Sequence, residues 1–92
     1  MIKSWKHKGI KNFFETGSTA GIIQTHANRL KVILQLLNVA RKPEQLDLPG
    51  MRFHKLKGNL KGYFSVTVRA NWRVIFKFDG EDAILVGYLD YH

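Results

Sequence analysis

Residues 63–78 read YFSVTVRANWRVIFKF, and the alternation in this stretch decides the fold. From Tyr63 to Arg69, Phe64, Val66 and Val68 fall on one side of an extended chain, and Tyr63, Ser65, Thr67 and Arg69 on the other. From Trp72 to Phe78 the same period sets Trp72, Val74, Phe76 and Phe78 against Arg73, Ile75 and Lys77. Two adjacent antiparallel strands are predicted, turned by Arg69, Ala70 and Asn71, with Arg69 and Arg73 brought together near the turn. Asp79 and Gly80 open a second turn into a third strand, Ala83 to Tyr88, and a short strand is predicted around Phe53 to Leu56.

Upstream of Pro49 and Gly50, which make a turn, the period lengthens. Ile2 to Trp5 alternates like a short strand. Ile10, Phe13 and Phe14 then have helical spacing up to Thr16, and Gly17 stops that helix. Ser18 or Thr19 is expected to cap the main helix, in which Ala27, Leu30, Ile33, Leu34 and Leu37 face the core. His26, Arg29, Lys31, Gln35 and Asn38 are expected on its other face. The helix should end near Arg41, because Pro43 prevents continuation, and Leu46 and Leu48 should cover an edge of the core. The expected architecture is α+β, with two or three N-terminal helices packed on an antiparallel sheet of four to five strands, all in one domain spanning residues 1–92.

The 92 residues carry 15 Lys and Arg against 7 Asp and Glu, a formal charge of +8, with 45% hydrophobic residues and no cysteine. So apolar a chain can bury a core, which excludes a disordered basic tail. Absent cysteine excludes disulfides, thiolate zinc sites and thiol nucleophiles, and His7, His26, His54 and His92 have no metal-motif spacing. No metal site and no cofactor are expected. No apolar run approaches the roughly 20 residues that cross a bilayer, and Met1 to Gly9 is charged where a signal peptide is apolar. A cytoplasmic protein that uses no membrane is expected. Arg52, Lys55, Lys57, Lys61, Arg69, Arg73 and Lys77 follow one another without an intervening acid, a surface suited to a polyanion.

Within that basic segment, Arg69 and Arg73 can each fork two hydrogen bonds onto phosphate oxygens. Lys55, Lys57 and Lys61 flank them, and Tyr63 and Tyr91 offer rings on which bases could stack. Trp72, Phe76 and Phe78 read as core. Asp90, Tyr91 and His92 close the sequence, and with His54 they supply the proton donors and acceptors of a metal-independent ribonuclease. Such an enzyme deprotonates a ribose 2′-hydroxyl, stabilises a phosphorane and protonates the departing 5′-oxygen.

Ile2-Lys3-Ser4-Trp5-Lys6-His7-Lys8-Gly9, His54-Lys55-Leu56-Lys57-Gly58, Gly62-Tyr63, Val66-Thr67-Val68-Arg69-Ala70-Asn71-Trp72-Arg73 and the closing Asp90-Tyr91-His92 resemble HigB toxins of the RelE/ParE superfamily. The resemblance covers essentially the whole chain and implies a microbial ribonuclease-like fold, with helices against one face of a twisted sheet and the active site on the other. It implies a type II toxin that cleaves messenger RNA in the ribosomal A site, on the 30S subunit and against 16S rRNA. Its implied partner is a HigA-like helix-turn-helix antitoxin, through which alone it would meet operator DNA. The implied active-site set is His54, Lys57, Arg69, Arg73, Asp90, Tyr91 and His92. Arg73 and Lys57 would hold the scissile phosphate, Arg69 would grip backbone or ribosomal RNA, with Lys55, Lys61 and Tyr63 as further RNA contacts, and Tyr91 would stack or position a base. Asp90 and His92 are candidates for activating the 2′-hydroxyl and His54 for protonating the leaving oxygen, and the reverse assignment is equally permitted. The alternatives are a gyrase-inhibiting toxin of the ParE kind, for which clustered acid and base groups have no use, and a non-catalytic RNA-binding module.

Overall fold

The computed structural model describes residues 1–91. Helix α1 (Lys8–Thr16) and helix α2 (Ala27–Val39) precede four strands, β1 (His54–Lys55), β2 (Phe64–Arg69), β3 (Trp72–Asp79) and β4 (Asp82–Asp90). The strands pair antiparallel in the order β1-β2-β3-β4. The predicted strand at Ile2–Trp5 is reduced to two parallel bridges, Ile2 to Ala83 and Trp5 to Val86, along the free edge of β4.

The core lies between the helices and one face of the sheet. Leu30, Ile33, Leu34 and Leu37 of α2 and Ile10 of α1 are fully buried against Val66, Val74, Phe76, Ala83 and Val86. At roughly 1.5–3 kcal/mol per fully buried side chain, this layer supplies most of the folding drive. Gly17 ends α1 in the left-handed region (φ 80°), and its N–H returns to the Phe13 carbonyl at 2.9 Å. Gly9 packs backbone to backbone on Gly21, where a Cβ would collide with the Gly21 carbonyl, so the loop after α1 is pinned to its first turn.

Two expectations about the helices are not met. Neither Ser18 nor Thr19 caps α2, because a 3-10 turn at Gln24–His26 intervenes and leads directly into it. His26 is not on the solvent face: it is 5% exposed, and its Nδ1 lies 2.6 Å from the Tyr88 hydroxyl. Trp72 packs edge-on to His26 at 5.8 Å and on Tyr88 at 4.7 Å. Burial, and secondarily the Arg69 charge, push the His26 pKa below the histidine range; burial raises that of Tyr88 against a backbone hydrogen bond to Ile23. The imidazole is therefore neutral, and Tyr88 donates to it. Leu46 closes the core edge as expected, whereas Leu48 remains exposed.

Candidate active site

Registers across the sheet decide which side chains share its second face. His54 stands opposite Ser65, Ser65 opposite Ile75, and Ile75 opposite Gly87. The neighbouring row is Thr67, Arg73 and Leu89. Directly opposed residues project to the same side, so His54, Ser65, Thr67 and Arg73 form one surface away from the helices. Beneath it Leu56, Tyr63 and Ile75 are buried, with Leu60, Leu85, Leu89 and Tyr91 packed around them. A bulge between Ile75 and Lys77 helps to build this layer. Leu85 sits there at φ 54°, a conformation that costs of order 1–3 kcal/mol for a side chain of its size, and its N–H is held by the Ser4 hydroxyl at 2.8 Å.

Arg73 is the centre of the face. Its Nη1 donates to the Ser65 hydroxyl at 3.3 Å, and its guanidinium carbon lies 5.3 Å from the centre of the Tyr91 ring. Tyr91 is itself fixed by its N–H to the Asn71 carbonyl at 2.8 Å. Arg73 Nε and the hydroxyl of its cross-strand neighbour Thr67 are both buried without a hydrogen-bond partner among the described residues. Leaving such a group unsatisfied costs about 1–3 kcal/mol. Two orphaned polar groups on adjacent residues therefore mark where an anion's oxygens would be accepted.

His54 is exposed at the outer strand and stands opposite Ser65, the residue whose hydroxyl accepts from Arg73. Its Nδ1 lies 2.6 Å from the Arg52 carbonyl. A carbonyl only accepts, so Nδ1 carries a proton and Nε2 is the nitrogen left to exchange one with a ligand. Lys57 is exposed and leads into the 3-10 turn Gly58–Leu60. Lys55 pairs with Phe64, on the opposite side of β1 from His54, and with Lys61 it borders a cleft of about 340 Å³.

Three expected placements change. Arg69 does not join Arg73. The register shifts between Thr67 and Arg69, so Arg69 pairs with Trp72, on the helix side, where its charge acts on His26. Asp90 pairs with Trp72 from the other flank, so it too alternates away from Arg73. Tyr63 is not an open stacking platform: it is 8% exposed, and the ammonium groups of Lys6 and Lys77 lie 5.1 and 4.8 Å from its ring centre. His92 lies outside the described residues. Among those described, no three His, Asp or Glu side chains gather as metal ligands would, and no helix is long and apolar enough to cross a membrane. Ser65 and Thr67 line the same face although neither was among the candidate site residues. The signal in the sequence that could have found them is membership of the polar side of β2.

Residues 3–92 match the family of HigB-like toxins, described as the RelE-like toxin of the type II toxin-antitoxin system HigB. The chain belongs to this family. It is 45% identical to Endoribonuclease HigB of Proteus vulgaris over the whole length of both proteins. It is 36% identical to Toxin HigB-1 of Vibrio cholerae, covering all of this chain and 98% of that one. Among solved structures it resembles the toxin-antitoxin complex YoeB-YefM of Staphylococcus aureus (TM-score 0.62, 16% identity, covering 100% of this chain and 98% of that one). It also resembles a mutant of YafQ from E. coli (TM-score 0.57, 18% identity, covering 96% of this chain and 91% of that one). This HigB-like chain thus has the expected RelE-like fold, two helices on a four-stranded antiparallel sheet.

Proposed function

We propose that this HigB-like toxin is an endoribonuclease that cuts messenger RNA in the ribosomal A site, and that a HigA-like antitoxin neutralises it. The observation that carries the reading is the unfilled donor pair of Arg73 Nε and Thr67 Oγ1, in a guanidinium already braced by Ser65 and Tyr91. The full-length likeness to a protein named an endoribonuclease supports it.

In the proposed reaction the ribose 2′-oxygen attacks the adjacent phosphorus, the O2′–P bond forms and the P–O5′ bond breaks. The 2′-hydroxyl loses a proton, the 5′-oxygen gains one, and the products are a 2′,3′-cyclic phosphate and a 5′-hydroxyl. Arg73, with Lys57, neutralises the charge that grows on the non-bridging oxygens, and a preset guanidinium needs little reorganisation to do so. His54 Nε2 exchanges a proton with one of the two reacting oxygens. His92 serves the complementary proton transfer, Tyr91 positions a base, and Arg69, Lys55 and Lys61 hold flanking RNA. Operator DNA is reached through the antitoxin alone, and the reaction belongs in the cytoplasm, where ribosomes are.

The test is cleavage of a defined message bound to programmed ribosomes. Wild-type protein should cut within the A-site codon, and Arg73→Ala should bind ribosomes yet cut about a hundredfold or more slowly. Binding without cleavage by the wild-type protein would instead fit an RNA-binding module.

A further inference from the structure

Further along β3 than Arg73, and on the same face of the sheet, Lys77 is half-buried with its ammonium 4.8 Å from the centre of the Tyr63 ring. Lys6 reaches the same ring from the N-terminal segment, at 5.1 Å. Lys61 is exposed and lines the cleft of about 340 Å³ that Tyr63 also borders. We propose that these lysines, gathered around Tyr63 with Lys77 at their centre, form a second phosphate subsite for the message, taking a phosphate other than the one cut at Arg73. The inference deepens the nuclease reading above and rests on it for the identity of the strand.

Alternation puts Arg73, Ile75 and Lys77 on one side of β3, and Ile75 packs with Tyr63 in the layer beneath the site. The bulge does not disturb this, because Ile75 pairs with Gly87 and Lys77 with Ile84, so the extra residue lies in β4. The Lys77 side chain is guided by a glycine. A Cβ on Gly62, whose φ is 94°, would stand 3.4 Å from Lys77 Cε and 3.5 Å from its Nζ, so the bare backbone there leaves the room in which the stem lies. Lys6 is fixed by its N–H, which donates to the Val86 carbonyl at 2.8 Å. Tyr63, too covered for a base to stack on, is thus the support on which cations are held.

Two ammonium groups on one ring repel each other, and among the described residues neither makes an ion pair; the one ion pair there joins the Met1 amino group to Asp82 at 3.6 Å. An anion beside them relieves that repulsion. The spacing selects a phosphate on the strand already held at Arg73. From Arg73 to Lys77 the backbone of β3 advances about 13 Å, at 3.2–3.4 Å per residue, so the two cations address different phosphates of one strand. Acids close the track: Asp79 follows on β3 and Glu81 and Asp82 crowd the turn after it, so a backbone that passes Lys77 meets repulsion beyond it.

The experiment measures single-turnover cleavage on programmed ribosomes, with messages that each carry one neutral methylphosphonate linkage, placed in turn at the linkages on either side of the cut. Lys77→Gln should raise the half-saturating protein concentration about tenfold or more and leave the saturated rate within about twofold, as expected for one lost contact to a charged group. In the wild-type protein one non-scissile methylphosphonate should cost a similar factor. In Lys77→Gln that same linkage should cost less than about twofold, because the contact is already gone. Lys77→Arg keeps the charge and should keep the sensitivity to that linkage, which separates charge from folding. Lys61→Gln, an exposed change, should reduce the same sensitivity and stands in if Lys77→Gln fails to fold. Losses that multiply independently at every linkage would overturn the proposal, as would an unchanged half-saturating concentration in Lys77→Gln or an equal weakening of ribosome binding with no message present. If the wild-type protein cuts no message, the nuclease reading fails, and the subsite is judged by binding of a single-stranded 2′-O-methyl RNA. The slope of log affinity against log salt should then be shallower by about 0.7 in Lys77→Gln, and an unchanged slope would overturn the subsite as well.

Discussion

The two faces of the one sheet differ in what they leave unsatisfied. On the helix side Val66, Val74, Phe76 and Val86 are fully buried, and the polar group admitted there, His26, is answered by Tyr88. On the second face Ser65 is equally buried, yet Arg73 Nε and Thr67 Oγ1 have no partner among the described residues. The first face is complete in itself. The second keeps unpaired donors where the proposed phosphate would sit, so on this reading stability and ligand binding are separated across one sheet thickness.

Substitutions on the second face should therefore alter cleavage with little effect on folding, and the largest loss is expected at His54. Replacing this exposed residue with Ala should slow single-turnover cleavage by about a hundredfold to ten-thousandfold, the usual worth of a positioned acid or base. Its thermal stability should change by no more than about 0.5 kcal/mol, as for most surface changes. Arg73→Ala should cost about a hundredfold to a thousandfold. Arg73→Lys should not restore the rate, since an ammonium cannot reach both the Ser65 hydroxyl and the phosphate.

Across the sheet the effects should reverse, falling on stability and sparing the rate. His26 and His7 both have pKa values lowered chiefly by burial, and His7 Nδ1 also accepts the Ile10 N–H that starts α1. A histidine with a depressed folded pKa stabilises at neutral pH, and that contribution is lost as pH falls below about 6.5 towards the folded value. The melting temperature should accordingly drop between pH 7 and pH 5, and less steeply in His26→Leu. An equally steep drop in that variant would remove His26 from the account. Tyr88→Phe strands the His26 nitrogen and should cost about 1–3 kcal/mol. The smallest effect sharpens the boundary between faces: Ser65→Ala should lower the single-turnover rate by about tenfold or less, the worth of one hydrogen bond, while substrate affinity holds.

Much of this division was legible in residues 63–78, because a period of two states which side chains share a face whatever lies above them. The polar row that holds Ser65, Thr67 and Arg73 came directly from it. Arg69 did not, because the shift after Thr67 has no glycine to announce it and moves one residue to the other face. The burial of His26 was also hidden, since its partner Tyr88 is 62 residues away and helical spacing reports only local neighbours. Tyr63 looked like an open ring for the same reason: the lysines that occupy its faces come from β3 and from the N-terminal segment.

The central claim is that the second face runs an attack by the message's own 2′-hydroxyl. It is tested most directly by the chemistry of the cut ends, read by mass spectrometry on message cleaved in programmed ribosomes. The account predicts a 2′,3′-cyclic phosphate on the upstream fragment, a 5′-hydroxyl on the downstream one, and both about a hundredfold or more slowly from Arg73→Ala. A 3′-hydroxyl with a 5′-phosphate would contradict it, because water rather than the ribose would then be the nucleophile.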